Sequence, residues 1–321
     1  MQKKPSIVFL GTPDFAVPAL ERLIENEYPV LAVVTAPDKP AGRGQKILSS
    51  PVKDCAVKHG LKVLQPTNLK DPVFIEELKS LKADLQIVVA FRMLPEAVWA
   101  MPKLGTFNLH ASLLPQYRGA APINWAIIRG EKVTGITTFF LRHEIDTGDV
   151  IFREEVPVEY DDNAGSLHDK LMQKGSELIL KTVRSIEAGA LKTTHQQQLA
   201  TGEELKSAPK LNRENTRLSL HLHPEEARNF ISGLSPYPAA HAMLTNDNGI
   251  GFAVKLFAAD AIEVSHPHPA GTVESDGRSY LRVYLPGGYI DLTDLQLSGR
   301  NRMKIKDFLN GLKLEGNWKL I

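Results

Sequence analysis

The chain has 321 residues, enough for about two domains, and that length buries two hydrophobic cores without disulfides. Its 38 Lys and Arg stand against 37 Asp and Glu, so a net charge of +1 excludes wholesale binding of a polyanion, and any nucleic-acid contact must come from local patches. With 43% hydrophobic and 23% charged residues the composition excludes a disordered chain, and the single cysteine, Cys55, excludes an internal disulfide and suits a reducing, cytoplasmic setting.

The first apolar run, Ile7-Val8-Phe9-Leu10, is far short of a secretory segment, and no stretch of about 18 apolar residues predicts a membrane span. Short apolar runs alternating with amphipathic stretches predict strand–helix–strand crossovers and a largely parallel sheet, an α/β core. Strands are expected at 6–10, 30–35, 85–90 and 105–110, with Thr12 capping a helix that starts at Pro13. Residues 163–188 place Leu167, Leu171, Leu178, Ile179, Val183 and Ile186 on one helical stripe, which closes a first domain spanning 1–188. Between 189 and 208 the periodicity fades into Thr194-His195-Gln196-Gln197-Gln198, which reads as an extended connector. Beyond it, a second domain at 209–321 carries short alternating segments at 251–257, 271–274, 280–285 and 289–297, then a helical pattern at 304–314. Several short strands separated by turns predict a small barrel, with an OB-like barrel as one form.

Chemistry concentrates in Phe107-Asn108-Leu109-His110-Ala111-Ser112-Leu113-Leu114-Pro115. On a strand, Asn108 and His110 share one face at the carboxyl end, where open α/β sheets place their ligands. An amide N–H can donate to a developing oxyanion and an imidazole can exchange protons near neutral pH, the two needs of acyl transfer to an amine. The same pair also reads as a hydrogen-bonded strand end. Asp146, in Glu144-Ile145-Asp146-Thr147-Gly148-Asp149, reads locally as a turn aspartate, or as a carboxylate that orients His110. The pairs His221/His223 and His266/His268 sit in turn-rich sequence without cysteines or a helical HExxH pattern, so no metal site is expected.

Several motifs, in order and spacing, resemble the folate-dependent formyltransferases, and within them the branch that formylates methionyl initiator tRNA. They are Gly11-Thr12-Pro13-Asp14-Phe15; Pro37-Asp38-Lys39-Pro40-Ala41-Gly42-Arg43-Gly44 with Ser50-Pro51-Val52-Lys53; Asn108 through Ile123; and Asp146-Thr147-Gly148. The resemblance implies a Rossmann-like formyltransferase core with a C-terminal OB-like barrel. It implies an enzyme of translation initiation that moves the formyl group of 10-formyltetrahydrofolate to the α-amino group of methionine on initiator tRNA. By it the catalytic trio falls on Asn108, His110 and Asp146, and the folate site on Val89, Ala90, Phe91 and Ser112, Leu113, Leu114, Pro115. The loop Ala90–Pro95 departs from the common pattern by carrying Arg92 where Gly is usual.

The loop between Thr35 and Asp54 carries Lys39, Arg43, Lys46 and Lys53 against Asp38, a local balance of +3. Such a loop reads as a solvated surface or as a phosphate-binding one; the resemblance implies that it grips the acceptor stem, with Arg43 central and Lys39 and Lys46 beside it. It also puts Lys210, in Ala208-Pro209-Lys210-Leu211-Asn212, near the tRNA. From Arg300 onward Arg300, Arg302, Lys304, Lys306, Lys313 and Lys319 face Asp307 and Glu315, a balance of +4 that reads as an electrostatic track or as an ordinary solvated helix. Two rival functions remain from sequence: formylation of a small amine, such as glycinamide ribonucleotide or an amino sugar nucleotide, and tRNA binding without catalysis. Neither a membrane nor an obligate protein partner is indicated.

Overall fold

The computed structural model describes residues 3–41, 46–144, 146–200, 202–312, 314 and 316–321. Its contacts divide the chain into two compact units, one of residues 1–119, 134–157 and 168–207, the other of residues 120–133, 158–167 and 208–321.

The first unit is built on a seven-stranded sheet in the order Val150–Pro157, Val133–Phe140, Thr106–His110, Leu85–Val89, Ile7–Gly11, Val30–Val34, Val63–Leu64. The pairings from Thr106–His110 through Val63–Leu64 are parallel, and Val133–Phe140 runs antiparallel to Thr106–His110. Ile7–Gly11 and Leu85–Val89 are buried along their whole length, because helices cover both faces of a doubly wound sheet and alternation has no solvent side to report. The helices start where the sequence offers caps: Ser50 Oγ accepts from Lys53 N ahead of Pro51–Lys58, and Asp71 Oδ1 accepts from Val73 N ahead of Pro72–Ser80. Thr12 makes no such cap. The chain instead enters a 3-10 turn at Asp14–Ala16 with Pro13 preceding it, and the α-helix begins only at Val17. From His168 on, the long helix Ala164–Glu187 belongs to this unit and buries Leu171, Leu178, Ile179 and Val183 completely, each burial contributing about 1.5–3 kcal/mol.

The stretch expected to run as an extended connector is bound to the first unit up to Ser207. Thr194 exchanges two backbone hydrogen bonds with Val150, Gln196–Leu199 forms a 3-10 turn, and Lys206 O accepts from Tyr117 N at 2.7 Å. Polar composition here reflects side chains used internally, above all Gln196, which is 1% exposed.

In the second unit six antiparallel strands close a ring: Gly251–Glu263, Ala240–Asn246, Trp318–Leu320, Thr272–Ser275, Leu281–Leu285 and Gly288–Leu297, which pairs back onto Gly251–Glu263. This closed barrel is consistent with an OB-like fold. Its core holds Leu244, Leu256, Val283, Ile290, Leu295 and Trp318. The strand expected to end at Phe257 runs on to Glu263, because its register against Gly288–Leu297 shifts between Leu256 and Ala259 and breaks the alternation without ending the pairing. Helix Pro224–Leu234 packs against Pro122–Ile128, where Asn124 Nδ2 donates to Gly233 O at 2.7 Å.

Candidate active site

Thr106–His110 delivers the first two residues. Asn108 lies in register with Val88 on one side and Phe139 on the other, and His110 follows on the same face at the carboxyl end. Asn108 is half-buried, and among the described residues its side-chain amide has no hydrogen bond, so it stays available to a ligand. His110 is buried; its Nε2 donates to Tyr117 O at 2.9 Å, since a carbonyl can only accept. In the neutral ring the free lone pair is therefore on Nδ1, and Nδ1 lies 4.0 Å from Asp146 Oδ2. The carboxylate thus lies beyond hydrogen-bond reach of the ring, and the Tyr117 carbonyl is what holds it.

Asp146 adopts a left-handed backbone, φ +55°, and the same Oδ2 accepts from Gly119 N at 3.1 Å. Gly148 lets the turn press against the sheet: a Cβ there would stand 1.5 Å from Phe140 O. Gln196 clips the turn from behind, donating to Asp146 O and Gly148 O, both at 2.8 Å, and accepting from Arg118. Nothing in the local sequence separated Gln196 from Gln197 and Gln198, since the signal is a long-range pairing.

The segment Ser112–Pro115 is pinned by Thr137, whose hydroxyl donates to Ser112 O at 2.6 Å and accepts from Leu114 N at 3.1 Å. Ser112 Oγ donates to Gln116 O, so this side chain is spent internally, while Leu113 stays half-buried and Pro115 lines a cleft. That cleft, about 750 Å³, is also lined by Trp99, Arg118, His143, Thr147 and Gln196. Val89 ends its strand buried, Ala90 turns through φ +47°, and Phe91 packs on the core with Leu141. Arg92 turns its guanidinium onto the Pro66 and Thr67 carbonyls, tying two strand-end loops together.

Lys39 is exposed and begins the strand Lys39–Ala41, which pairs antiparallel with Lys46–Leu48; Arg43 lies outside the described residues. Lys53 is not a free cation: it bonds to Asp38, which also accepts from Gln65 at 2.8 Å, and these bonds hold the Asp38 carboxyl below its ordinary value. Lys210 is exposed in the second unit. In the tail, Arg302 and Lys304 both reach Asp294, at 2.7 and 3.3 Å, so part of the local positive balance is neutralised by a carboxylate from an earlier strand. A larger groove of about 1080 Å³, lined by Arg213, Arg217, His241 and Lys255, lies in the second unit, but none of the trio lines it. His223 precedes helix Pro224–Leu234 and His266 and His268 pack on Tyr284; among the described residues, the three donors that converge within 4.8 Å are Glu21, Cys55 and His59.

A formyl transferase family model matches residues 5–183, and a formyl transferase C-terminal domain model matches residues 210–313. The chain belongs to the formyl transferase family. As a family member it is a formyl-transfer enzyme. It is 52% identical over 314 residues to a methionyl-tRNA formyltransferase of Bacteroides fragilis, covering 98% of this chain and 97% of the relative. It is 50% identical over 318 residues to one of Flavobacterium johnsoniae, covering 99% of each. Among solved structures it shares its fold with WlaRD, a sugar 3N-formyl transferase crystallised with dTDP and 5-N-formyl-THF, at TM-score 0.64 and 18% identity over 93% of this chain and 100% of that one. HypX from Aquifex aeolicus, solved with tetrahydrofolic acid, matches at TM-score 0.62 and 20% identity, over 98% of this chain and 49% of that one. Among the described residues no helix is long and apolar enough to cross a membrane.

Proposed function

We propose that the chain transfers the formyl group of 10-formyltetrahydrofolate to the α-amino group of methionyl initiator tRNA, in the cytoplasm. The observation that carries this reading is the convergence of His110 and Asp146, 4.0 Å apart, at the end of the strand that bears Asn108. Full-length similarity to methionyl-tRNA formyltransferases supports the acceptor, and the folates named with WlaRD and HypX support the donor.

In this reaction the methionine amine forms a bond to the formyl carbon, the bond from that carbon to N10 of the folate breaks, the amine loses a proton and N10 gains one. Asn108 supplies a neutral donor to the developing oxyanion, and a donor of this kind is worth about 10²–10³ in rate. Nδ1 of His110, free because Nε2 is held by the Tyr117 carbonyl, takes the amine proton and returns it to the leaving nitrogen. Asp146 stabilises the imidazolium formed between those two transfers. Leu113 and Pro115, with Val89, Ala90 and Phe91, are the residues this reading assigns to the pterin, a ligand that calls for apolar surface with backbone groups along one edge. Lys39, Arg43, Lys46 and Lys210 are the phosphate contacts for the acceptor arm.

The test is incubation with 10-formyltetrahydrofolate and methionyl initiator tRNA, followed by mass spectrometry for formylmethionine. Formylation of glycinamide ribonucleotide or an amino sugar nucleotide in its place overturns the acceptor assignment.

A further inference from the structure

We propose that Gln196 is a positioning residue for the acid–base pair, locking the Asp146 turn and Arg118 into one arrangement; the role rests on the formyl-transfer reading above. Gln196 is 1% exposed, and its amide is fully used. Both hydrogens of Nε2 go to carbonyls of the turn, Asp146 O and Gly148 O at 2.8 Å each, and Oε1 accepts from Arg118 Nε at 3.1 Å and Nη2 at 2.6 Å.

The two ends of this clip meet at the reacting pair. Arg118 is followed by Gly119, whose N–H donates to Asp146 Oδ2, and Oδ2 is the oxygen that faces His110 Nδ1. Gln196, Arg118, Gly119 and Asp146 therefore form a closed circuit of contacts that sets where the carboxylate stands. Asp146 needs such support, because φ +55° is a conformation that non-glycine residues adopt sparingly. The clip is itself anchored outside the turn it holds, since Thr194, just before it, is bonded in both directions to Val150.

The clip acts on geometry, so its loss should appear in turnover and leave binding intact. Two variants of the full chain separate its halves. Gln196→Met removes all four hydrogen bonds at nearly constant length, whereas Gln196→Glu keeps an acceptor for Arg118 but sets oxygen against the two turn carbonyls. Steady-state formylation of methionyl initiator tRNA by 10-formyltetrahydrofolate is expected to show kcat lower by about tenfold or more in both variants, with KM for each substrate within about twofold of the parent. Hydrogen–deuterium exchange is expected to quicken over residues 144–149 and to stay unchanged in the strand Leu85–Val89. Unchanged kcat, a loss confined to KM, or a Glu variant that behaves like the parent overturns the proposal, the last because it reduces Gln196 to an anchor for Arg118. Should the Met variant fail to fold, the Glu variant carries the same readouts. A parent chain without formyl transfer to methionyl-tRNA overturns the functional reading instead, and unchanged exchange over 144–149 then still overturns the role of Gln196 in holding the turn.

Discussion

Asp146 Oδ2 stands 4.0 Å from His110 Nδ1, close enough to attract an imidazolium and too far to share a proton with it. In the proposed reaction the carboxylate therefore acts through charge. At this separation a carboxylate attracts a protonated imidazole across space, and solvent access weakens the attraction.

Removing the charge at nearly constant shape should slow the reaction without dissolving the site. Asp146→Asn is expected to lower kcat by about 10²-fold or more, and His110→Ala at least as much, with circular dichroism and thermal unfolding close to the parent. Either variant at full activity removes that residue from the proton-transfer scheme.

Gly148→Ala tests the seating of the turn. The added methyl would collide with Phe140 O at 1.5 Å, so the turn has to lift from the strand. Expected are a melting temperature lower by several degrees and a loss of turnover disproportionate to the fraction unfolded. Gly311→Ala is the control, since its Cβ meets nothing within 4 Å and it should lower neither quantity.

Asp294 gives the second unit a pH-dependent component of stability. Burial pushes its carboxyl up, but hydrogen bonds and charge from Arg302 and Lys304 outweigh burial and hold it below the ordinary value. A depressed folded value means that this contribution is complete above the unfolded carboxylate range near pH ~3.9 and is lost as pH falls through the folded value. Urea unfolding followed stepwise into the acid range should show that loss in the parent, and Asp294→Asn should flatten it. An identical acid slope in both chains counts against the pairing.

Arg43→Ala and Lys210→Ala probe the acceptor side. Each is expected to raise KM for methionyl-tRNA several-fold, to leave KM for the folate unchanged, and to reduce the salt slope of tRNA binding by about one. An unchanged slope means that the substituted side chain does not touch phosphate.

Much of this architecture is legible in the chain because it is locally encoded. Continuous apolar runs mark Ile7–Gly11 and Leu85–Val89, and apolar residues at helical spacing mark Ala164–Glu187. What local reading misses is pairing across long separations. Gln196 looks like one of three interchangeable glutamines until Asp146, Gly148 and Arg118 are brought to it. Arg92 looks too large for its loop until Pro66 and Thr67 take its guanidinium. Counting charge by segment likewise credits Arg302 and Lys304 to a free positive patch, although Asp294, from an earlier strand, neutralises them.

The barrel's closing stave is its last one in the chain. Trp318–Leu320 sits between Ala240–Asn246 and Thr272–Ser275, so strands made earlier share no hydrogen-bonded seam there until it arrives. During synthesis, a nascent chain that has already produced Ala240–Asn246 holds an open, unpaired edge for the whole time needed to reach Leu320. The second unit is consequently exposed to wrong strand pairing late in its production, and a fusion or cleavage near residue 318 bears on ring closure more than its distance from His110 would suggest.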